Sequence, residues 1–237
     1  YPRGAPDPAP ITPLADRTPS LDQPFALDPL VLPKPIETLS PSLLGEPHLS
    51  SDGFDTHADR LLNAEDARNK GIALHALLQH LTRVPHDRRE EVARVAAEPF
   101  LPEQPDLAEA VAEEALAILA EPYLERVFGP NARAEVSFAR DATRNGVPVR
   151  LAGRIDRLVA DETGIMVVDF KSDAFAPELP SGVPPAYAVQ LGLYAKVAQK
   201  LFPGQPVSAA ILWTTPRRLM VLDAGELEEA SSAIALV

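Results

Sequence analysis

The stretch GRIDRLVADETGIMVVDFKSD, residues 153–173, decides the fold of this chain. Its second half runs through apolar residues into Asp169, and Lys171 follows after one intervening residue. Buried charges are costly unless they are paired or bind a metal. Something close by must therefore balance a carboxylate and an ammonium on one face of what the pattern predicts to be a buried strand.

The same stretch predicts two antiparallel strands joined by a turn centred between Glu162 and Thr163. This register places Asp156 opposite Asp169, where side chains on one face lie about 4.5–5.5 Å apart. Two carboxylates that close repel each other, so one binds a proton or a cation lies between them. Lys171 shares the face of Asp169 because side chains alternate along a strand. The group predicts a hard-cation site beside an amine that handles protons or orients water.

Outward from this hairpin, the hydrophobic period changes twice along the chain. Upstream, three amphipathic helices are expected, in FDTHADRLLNAEDARNKGIALHALLQHLTRV, HDRREEVARVAAEPFL and DLAEAVAEEALAILAEPYLERVF. Strands are expected at 132–140, 147–160 and 164–172, then a helix at about 184–201, two strands in PVSAAILWTT and RRLMVLD, and a helical tail in GELEEASSAIALV. This order predicts a mixed α/β core that helices precede.

The first part of the chain is rich in proline. Residues 1–52 hold 12 of the 26 prolines and predict an extended arm, either a linker or a strap over another surface. A second unit is expected over residues 53–237, with a helical part at 53–130 and an α/β core at 131–237. Because the chain starts at Tyr1, we expect it to be a piece of a longer or processed protein.

Composition excludes several classes of protein. The net charge of −12 argues against a protein that coats nucleic acid through a general positive charge. With no cysteine, the chain has no disulfide, no thiolate zinc site and no iron–sulfur cluster held by cysteines, which fits a reducing cytoplasm. No apolar run approaches the roughly 20 residues that span a membrane. No nucleotide-binding loop of the form GxxxxGK[ST] occurs.

Three motifs together carry a family resemblance. GRIDRL (153–158), VVDFKS (167–172) and QLGLY (190–194) resemble the RecB-like branch of the PD-(D/E)XK nucleases. There a G-x-x-D strand, a D-[YF]-K strand and a Q-x-x-x-Y helix follow a helix that bears a histidine, which here is GIALHALLQHL (71–81). Within this branch, roughly residues 65–225 are most similar to the nuclease domains of the AddA family of bacterial helicase-nucleases.

The resemblance implies a restriction-endonuclease-like core, a mixed central sheet flanked by helices, that hydrolyses phosphodiester bonds in single-stranded DNA ends. It implies that Mg²⁺, for which Mn²⁺ would substitute, binds to His75, Asp156, Asp169 and the main-chain carbonyl of Phe170. Lys171 would orient or deprotonate the attacking water and steady the charge on phosphorus. Phe170 stands where Tyr is common, and this change removes no ligand.

Other residues near the motifs are assigned to the substrate. Gln190 and Tyr194, one helical turn apart, would position the DNA backbone or close the site. Arg154 falls opposite Lys171 in the predicted register, an unfavourable pair unless anions lie between, so it is a candidate for contacting DNA.

The resemblance also implies partners. Helicase domains on a longer chain and a partner protein of the AddB type would deliver unwound strands during recombinational repair of double-strand breaks. Both would act in the cytoplasm.

Several alternatives stay open at this point. The chain could be a non-catalytic relative that binds or acts as a scaffold, a stand-alone exonuclease of the same superfamily, or a metal-dependent hydrolase of another substrate. Asp156 and Asp169 could be exposed charges paired with Arg154 or Arg157. His75 could be an ordinary helix-face histidine, and Glu135 could lie near the metal as a base. Tyr187 and Trp213 are expected to be core residues.

Overall fold

The structure, a computed structural model, describes residues 36–44, 57–173 and 176–237, without the side chains of residues 57–64. Ile36–Val237 forms one compact unit. The predicted arm lies largely outside the described residues. Its described part, residues 36–44, differs from the prediction, because Glu37–Leu39 is a strand that pairs with the sheet and Pro41–Leu44 is a helical turn.

A mixed sheet forms the centre of the described part. Its strands are β1 Glu37–Leu39, β2 Ala132–Arg144, β3 Val147–Asp161, β4 Gly164–Lys171, β5 Val207–Trp213, β6 Arg218–Val221 and β7 Ile234–Leu236. The order is β6-β5-β4-β3-β2-β7, with β1 beside β3. The β4–β5 and β1–β3 pairs are parallel, and the other pairs are antiparallel. The predicted fold class, a mixed α/β core, is confirmed.

Helices cover both faces of this sheet. They are α1 Pro41–Leu44, α2 His57–His80, α3 Arg89–Ala97, α4 Pro105–Leu119, α5 Glu125–Phe128, α6 Pro185–Leu201 and α7 Ala224–Ala230. Side chains of α2, α3 and α4 pack against one face, where Val168 and Phe170 of β4 are buried. Helix α6 covers the other face, where Leu191 packs with Val167. The site described below lies where both layers meet β4.

The hairpin of β3 and β4 has the predicted register. Arg157 pairs with Val168, and Asp161 pairs with Gly164 across the turn. Alternating burial and a short polar turn fix this pairing, because a slip of one residue would move every side chain to the other face. The predicted register is therefore confirmed up to the Arg157–Val168 pair.

Two predicted helices differ from the structure at proline or at a strand edge. The third helix breaks after Leu119, because Pro122 disfavours a helical backbone at Glu121, which is extended. The helical tail is wrong in its last part. After α7, residues Ile234–Leu236 form a strand that pairs with Ala142–Arg144 of β2. The free edge of β2 supplies the hydrogen-bond partners that decide this.

Candidate active site

Strands β3 and β4 separate at the site. Their main-chain pairing ends at Arg157 and Val168, although the register would place Asp156 opposite Asp169. Strand β3 also changes the side on which its side chains lie. Ile155 packs with the α6 layer and Val159 with the α2 layer, whereas two odd-numbered residues of a regular strand would share a face. Asp156 lies within this change of face.

The neighbouring strand β2 changes face at the same level. Val136 packs on the α6 side and Ala132 on the α2 side. Between them, Glu135 has a left-handed backbone with φ of 55°, which is uncommon for a residue with a side chain. Glu135 would be the partner of Asp156, and this pair is missing from the ladder. Backbone strain of this kind clusters at functional sites.

The Asp156 carboxylate replaces a strand-to-strand hydrogen bond. Its Oδ2 accepts a hydrogen bond from the backbone N–H of Phe170 at 2.8 Å. His75 of α2 brings its Nδ1 to 3.7 Å from the same Oδ2, and its ring meets the Phe170 ring edge-on, with centroids 5.4 Å apart. One turn earlier, Gly71 lets α2 approach β4, since a Cβ there would lie 3.0 Å from Ser172 Oγ.

Asp169 and Lys171 lie on the α6 side of β4 and are joined through Gln190. Lys171 Nζ is 2.9 Å from Asp169 Oδ2 and donates to Gln190 Oε1 at 3.0 Å. The Gln190 amide nitrogen donates to Asp169 Oδ1 at 2.8 Å and to the Tyr194 hydroxyl at 3.0 Å. An amide suits this place because it carries both an acceptor and two donors. Gln190 therefore fixes the orientation of both charged groups.

Tyr187 adds a contact that was not expected from the sequence. Lys171 Nζ lies 4.3 Å from the centroid of its ring. The Tyr187 hydroxyl donates to the carboxylate of Asp173, at 3.0 and 3.2 Å from the two oxygens. A signal existed in the sequence: Tyr187 stands three residues before Gln190, and residues three apart share a helix face. The expected core position of Tyr187 left this contact out, and Asp173 was not among the predicted site residues.

Arginine does not neutralise the two aspartates. Arg154, with a side chain 64% exposed, forms an ion pair with Glu135. Arg157 is buried, donates to the carbonyl of Leu78 at 2.5 Å, and lies over the Phe128 ring. The alternative in which these arginines pair with Asp156 and Asp169 is therefore wrong. Glu135 lies beside the site, next to Asp156 on the neighbouring strand.

Burial sets the protonation preferences here. Burial raises the pKa of Asp156 well above its usual range, and the charge of Asp169 raises it further. Burial lowers the pKa of His75, which favours the neutral ring that can bind a metal, while Asp169 opposes that shift. Burial, followed by the charge of Asp169, also raises the pKa of Tyr194, so its hydroxyl stays neutral.

The donor set fits a divalent cation in chemistry. A buried carboxylate whose pKa is raised by a second carboxylate is relieved when a cation binds between them. The 3.7 Å between His75 Nδ1 and Asp156 Oδ2 is near the spacing of two ligands that each lie about 2.1 Å from one ion. Within the described ranges, no three acidic or histidine side chains already surround one point. Asp169 would have to turn from Lys171 to complete the site.

The structure thus brings most of the predicted site residues together. His75, Asp156 and Phe170 are in mutual contact, and Asp169, Lys171, Gln190 and Tyr194 form a second connected group beside them. Gln190 and Tyr194 are 4% and 2% exposed, so they lie behind the charged groups. This burial favours a positioning role over direct contact with a substrate, which stays a prediction.

Comparisons with known proteins identify relatives of this chain. Those at about 30% identity are the ATP-dependent helicase/nucleases of the AddA type. That of Bacillus cereus (strain ATCC 10987 / NRS 248) is 30% identical over 154 residues, and that of Bacillus mycoides (strain KBAB4) is 29% identical over 154 residues. In both cases the match covers 55% of this chain and 12% of the relative, so this chain spans only a small part of their length. The crystal structure of SSO0001 matches with a TM-score of 0.31 and 16% identity, over 73% of this chain and 84% of the other.

The family model of the PD-(D/E)XK nuclease superfamily matches residues 54–234, which is most of the chain and contains every site residue described above. The chain therefore belongs to the PD-(D/E)XK nuclease superfamily.

Proposed function

We propose that this chain is a metal-dependent deoxyribonuclease domain that hydrolyses phosphodiester bonds in single-stranded DNA. The observation that carries the proposal is the joined pair of Asp169 and Lys171, held by Gln190 beside Asp156 and His75. Membership of the nuclease superfamily supports the reaction class. A chain that had kept the fold alone would have no need of a buried ion pair whose two members are both held by one amide.

The proposed ligands of Mg²⁺, or of Mn²⁺ in its place, are His75, Asp156, Asp169 and the main-chain carbonyl of Phe170. When bound, the cation would polarise the scissile phosphate and lower the pKa of a bound water. The hydrogen bond from the Phe170 N–H keeps Asp156 aimed into the gap between β3 and β4. Glu135, opposite Asp156, adds negative charge that further favours a cation there.

Lys171 is the proposed catalytic amine. Its Nζ is held 2.9 Å from Asp169 and 3.0 Å from Gln190, so its position is fixed before any substrate arrives. An ammonium has three donors, and these two contacts leave one for the attacking water or a phosphate oxygen. A preorganised positive charge at this point stabilises the negative charge that develops on phosphorus.

Local positive charge supports a DNA substrate despite the net charge of −12. Residues 132–154 contain five arginines and two acids, and the arginines are exposed: Arg133, Arg140, Arg144, Arg150 and Arg154. Arg150 and Arg154 share one face of β3 that leads to the site. Contacts of this kind bind phosphates and carry little sequence information, so we expect weak sequence preference.

The relatives suggest the biological setting. In a helicase-nuclease of the AddA type, this domain would cut a strand that helicase domains unwind, together with a partner protein of the AddB type, during repair of double-strand breaks in the cytoplasm. We also propose the division into an arm at 1–52, a helical part at 53–130 and a catalytic core at 131–237. No helix among the described residues has the length and apolar character needed to cross a membrane.

A cleavage assay tests the proposal. End-labelled single-stranded DNA is incubated with the protein and Mg²⁺ or Mn²⁺, alone and with its helicase partner. We expect cleavage that EDTA abolishes and that Asp169→Ala and Lys171→Ala each reduce at least about a thousandfold. Lys200→Ala, an exposed lysine at the far end of α6, is the matched control and keeps full activity. If the wild type stays as inert as both variants with the helicase partner present, the chain is a non-catalytic relative.

A further inference from the structure

We infer that Tyr187 is a positioning residue for the proposed catalytic amine, holding Lys171 through the face of its ring while Asp173 holds the ring in place. This inference rests on the proposed function for its kinetic consequence. The contacts themselves are independent of it: the ring centroid lies 4.3 Å from Lys171 Nζ, and the hydroxyl donates to Asp173.

The ring contact suits an amine that must stay available for chemistry. A cation over an aromatic face is attracted by the ring quadrupole, and the attraction uses up no N–H donor. Lys171 already donates to Gln190 and approaches Asp169. If Asp169 turns to bind a metal ion, Lys171 loses that contact, and the ring of Tyr187 still restrains it.

The Tyr187 ring is itself fixed from two sides. Its hydroxyl donates to both oxygens of Asp173, which follows Lys171 by two residues. Its other neighbour is Trp213 of β5, with ring centroids 6.1 Å apart, and Trp213 pairs with Lys171 across the parallel strands. Tyr187 therefore links the end of β4 to α6, the two elements that carry Lys171 and Gln190.

The face of α6 explains why one residue reaches all these partners. Tyr187, Gln190 and Tyr194 stand at positions i, i+3 and i+7, so they form one stripe directed at β4. Gln190 and Tyr194 belong to the motif that identified the helix, whereas Tyr187 lies outside it. The stripe holds Asp169 at its middle and Lys171 between Gln190 and Tyr187.

Kinetics separate a positioning ring from a structural one. We expect Tyr187→Leu to lower kcat for single-stranded DNA about tenfold with KM unchanged, because a small displacement of Lys171 weakens the transition state without weakening binding. Tyr187→Phe keeps the ring, and we expect it to stay within about threefold of wild type. Phe202→Leu, which removes a ring from the same hydrophobic cluster at the other end of α6, is the matched control and leaves kcat unchanged.

A second measurement reads the contact without activity. The chain has five lysines, so lysine-labelled protein gives few ε-methylene signals in a ¹H–¹³C spectrum, and Lys171→Arg identifies one of them. Protons over a ring face are shifted upfield, so we expect this signal to be upfield in wild type and in Tyr187→Phe. In Tyr187→Leu it moves to the position of an ordinary lysine.

The outcomes are distinct. An unshifted Lys171 signal in the wild type, or an upfield shift that persists in Tyr187→Leu, overturns the inference. Full kcat in Tyr187→Leu, or an equal loss in Tyr187→Phe and Tyr187→Leu, overturns it as well. A wild type that cleaves no DNA contradicts the proposed function instead, and the lysine spectrum then decides whether the ring holds Lys171.

Discussion

The backbone N–H of Phe170 donates to the Asp156 carboxylate at 2.8 Å, beyond the point where β3 and β4 cease to pair through their main chains. A side chain thus continues the connection between the two strands. The two strands stay close enough to share one site, and their separation leaves room between them. Asp156 consequently has both a structural and a proposed metal-binding role, which substitution can separate.

Asp156→Asn keeps an oxygen that accepts from Phe170 and removes a negative charge beside Asp169. We expect the free energy of unfolding without metal to rise by about 1 kcal/mol, since burial and Asp169 both disfavour the charged form. Asp156→Ala removes the acceptor as well and should lower it by about 1–3 kcal/mol. Urea unfolding in EDTA measures both. Equal losses in the two variants would show that charge repulsion is unimportant here.

Replacing Gln190 tests whether the amide fixes the site. Gln190→Met retains the length of the side chain and removes its contacts to Asp169, Lys171 and Tyr194. We expect a loss of about 2 kcal/mol in the free energy of unfolding, because buried polar groups lose their partners. Thermal or urea unfolding measures it. Gln199→Met, on the exposed end of α6, is the matched control, and a loss of the same size there would contradict the assignment.

Gly192 gives a prediction opposite in sign to helix propensity. It lies within α6, where Gly→Ala usually stabilises by about 1 kcal/mol. A Cβ at this position would lie 2.4 Å from the backbone oxygen of Leu227, which cannot move without shifting α7. We expect Gly192→Ala to lower the free energy of unfolding by about 2 kcal/mol or more. A stabilised variant in urea unfolding would mean that α7 does not pack against α6 this closely.

The turn of the β3–β4 hairpin predicts a dependence of stability on pH. Hydrogen bonds from Arg126 and then from Thr163 hold the pKa of Asp161 well below its usual range. Its folded pKa lies below the unfolded value of about 4, so its contribution is fully present above that pH and is lost as the pH falls further. Urea midpoints of wild type and Asp161→Asn should therefore converge as the pH drops below about 4. A pH-independent difference would contradict this, and Arg126→Ala should reproduce the convergence.

Sequence reasoning reached the hairpin register and the family because both depend on neighbouring residues. The turn at Glu162 and Thr163, with alternating burial on each side, allows one pairing, and the structure has it. The prediction that Asp169 and Lys171 share a face also depends only on strand alternation. The motif around Gln190 indicated the helix that faces them, although its hydrogen bonds could not be read from spacing.

Tertiary structure decided what simple alternation cannot express. The change of face at Glu135 and Asp156 occurs in two paired strands together, so no single stretch of sequence reveals it. The last strand, Ile234–Leu236, forms because β2 offers an open edge, and the contact of Tyr187 with Lys171 forms because α6 crosses β4 at one particular place. Local propensity acts over a few residues, whereas these features depend on hydrogen-bond partners and packing surfaces supplied by distant parts of the chain.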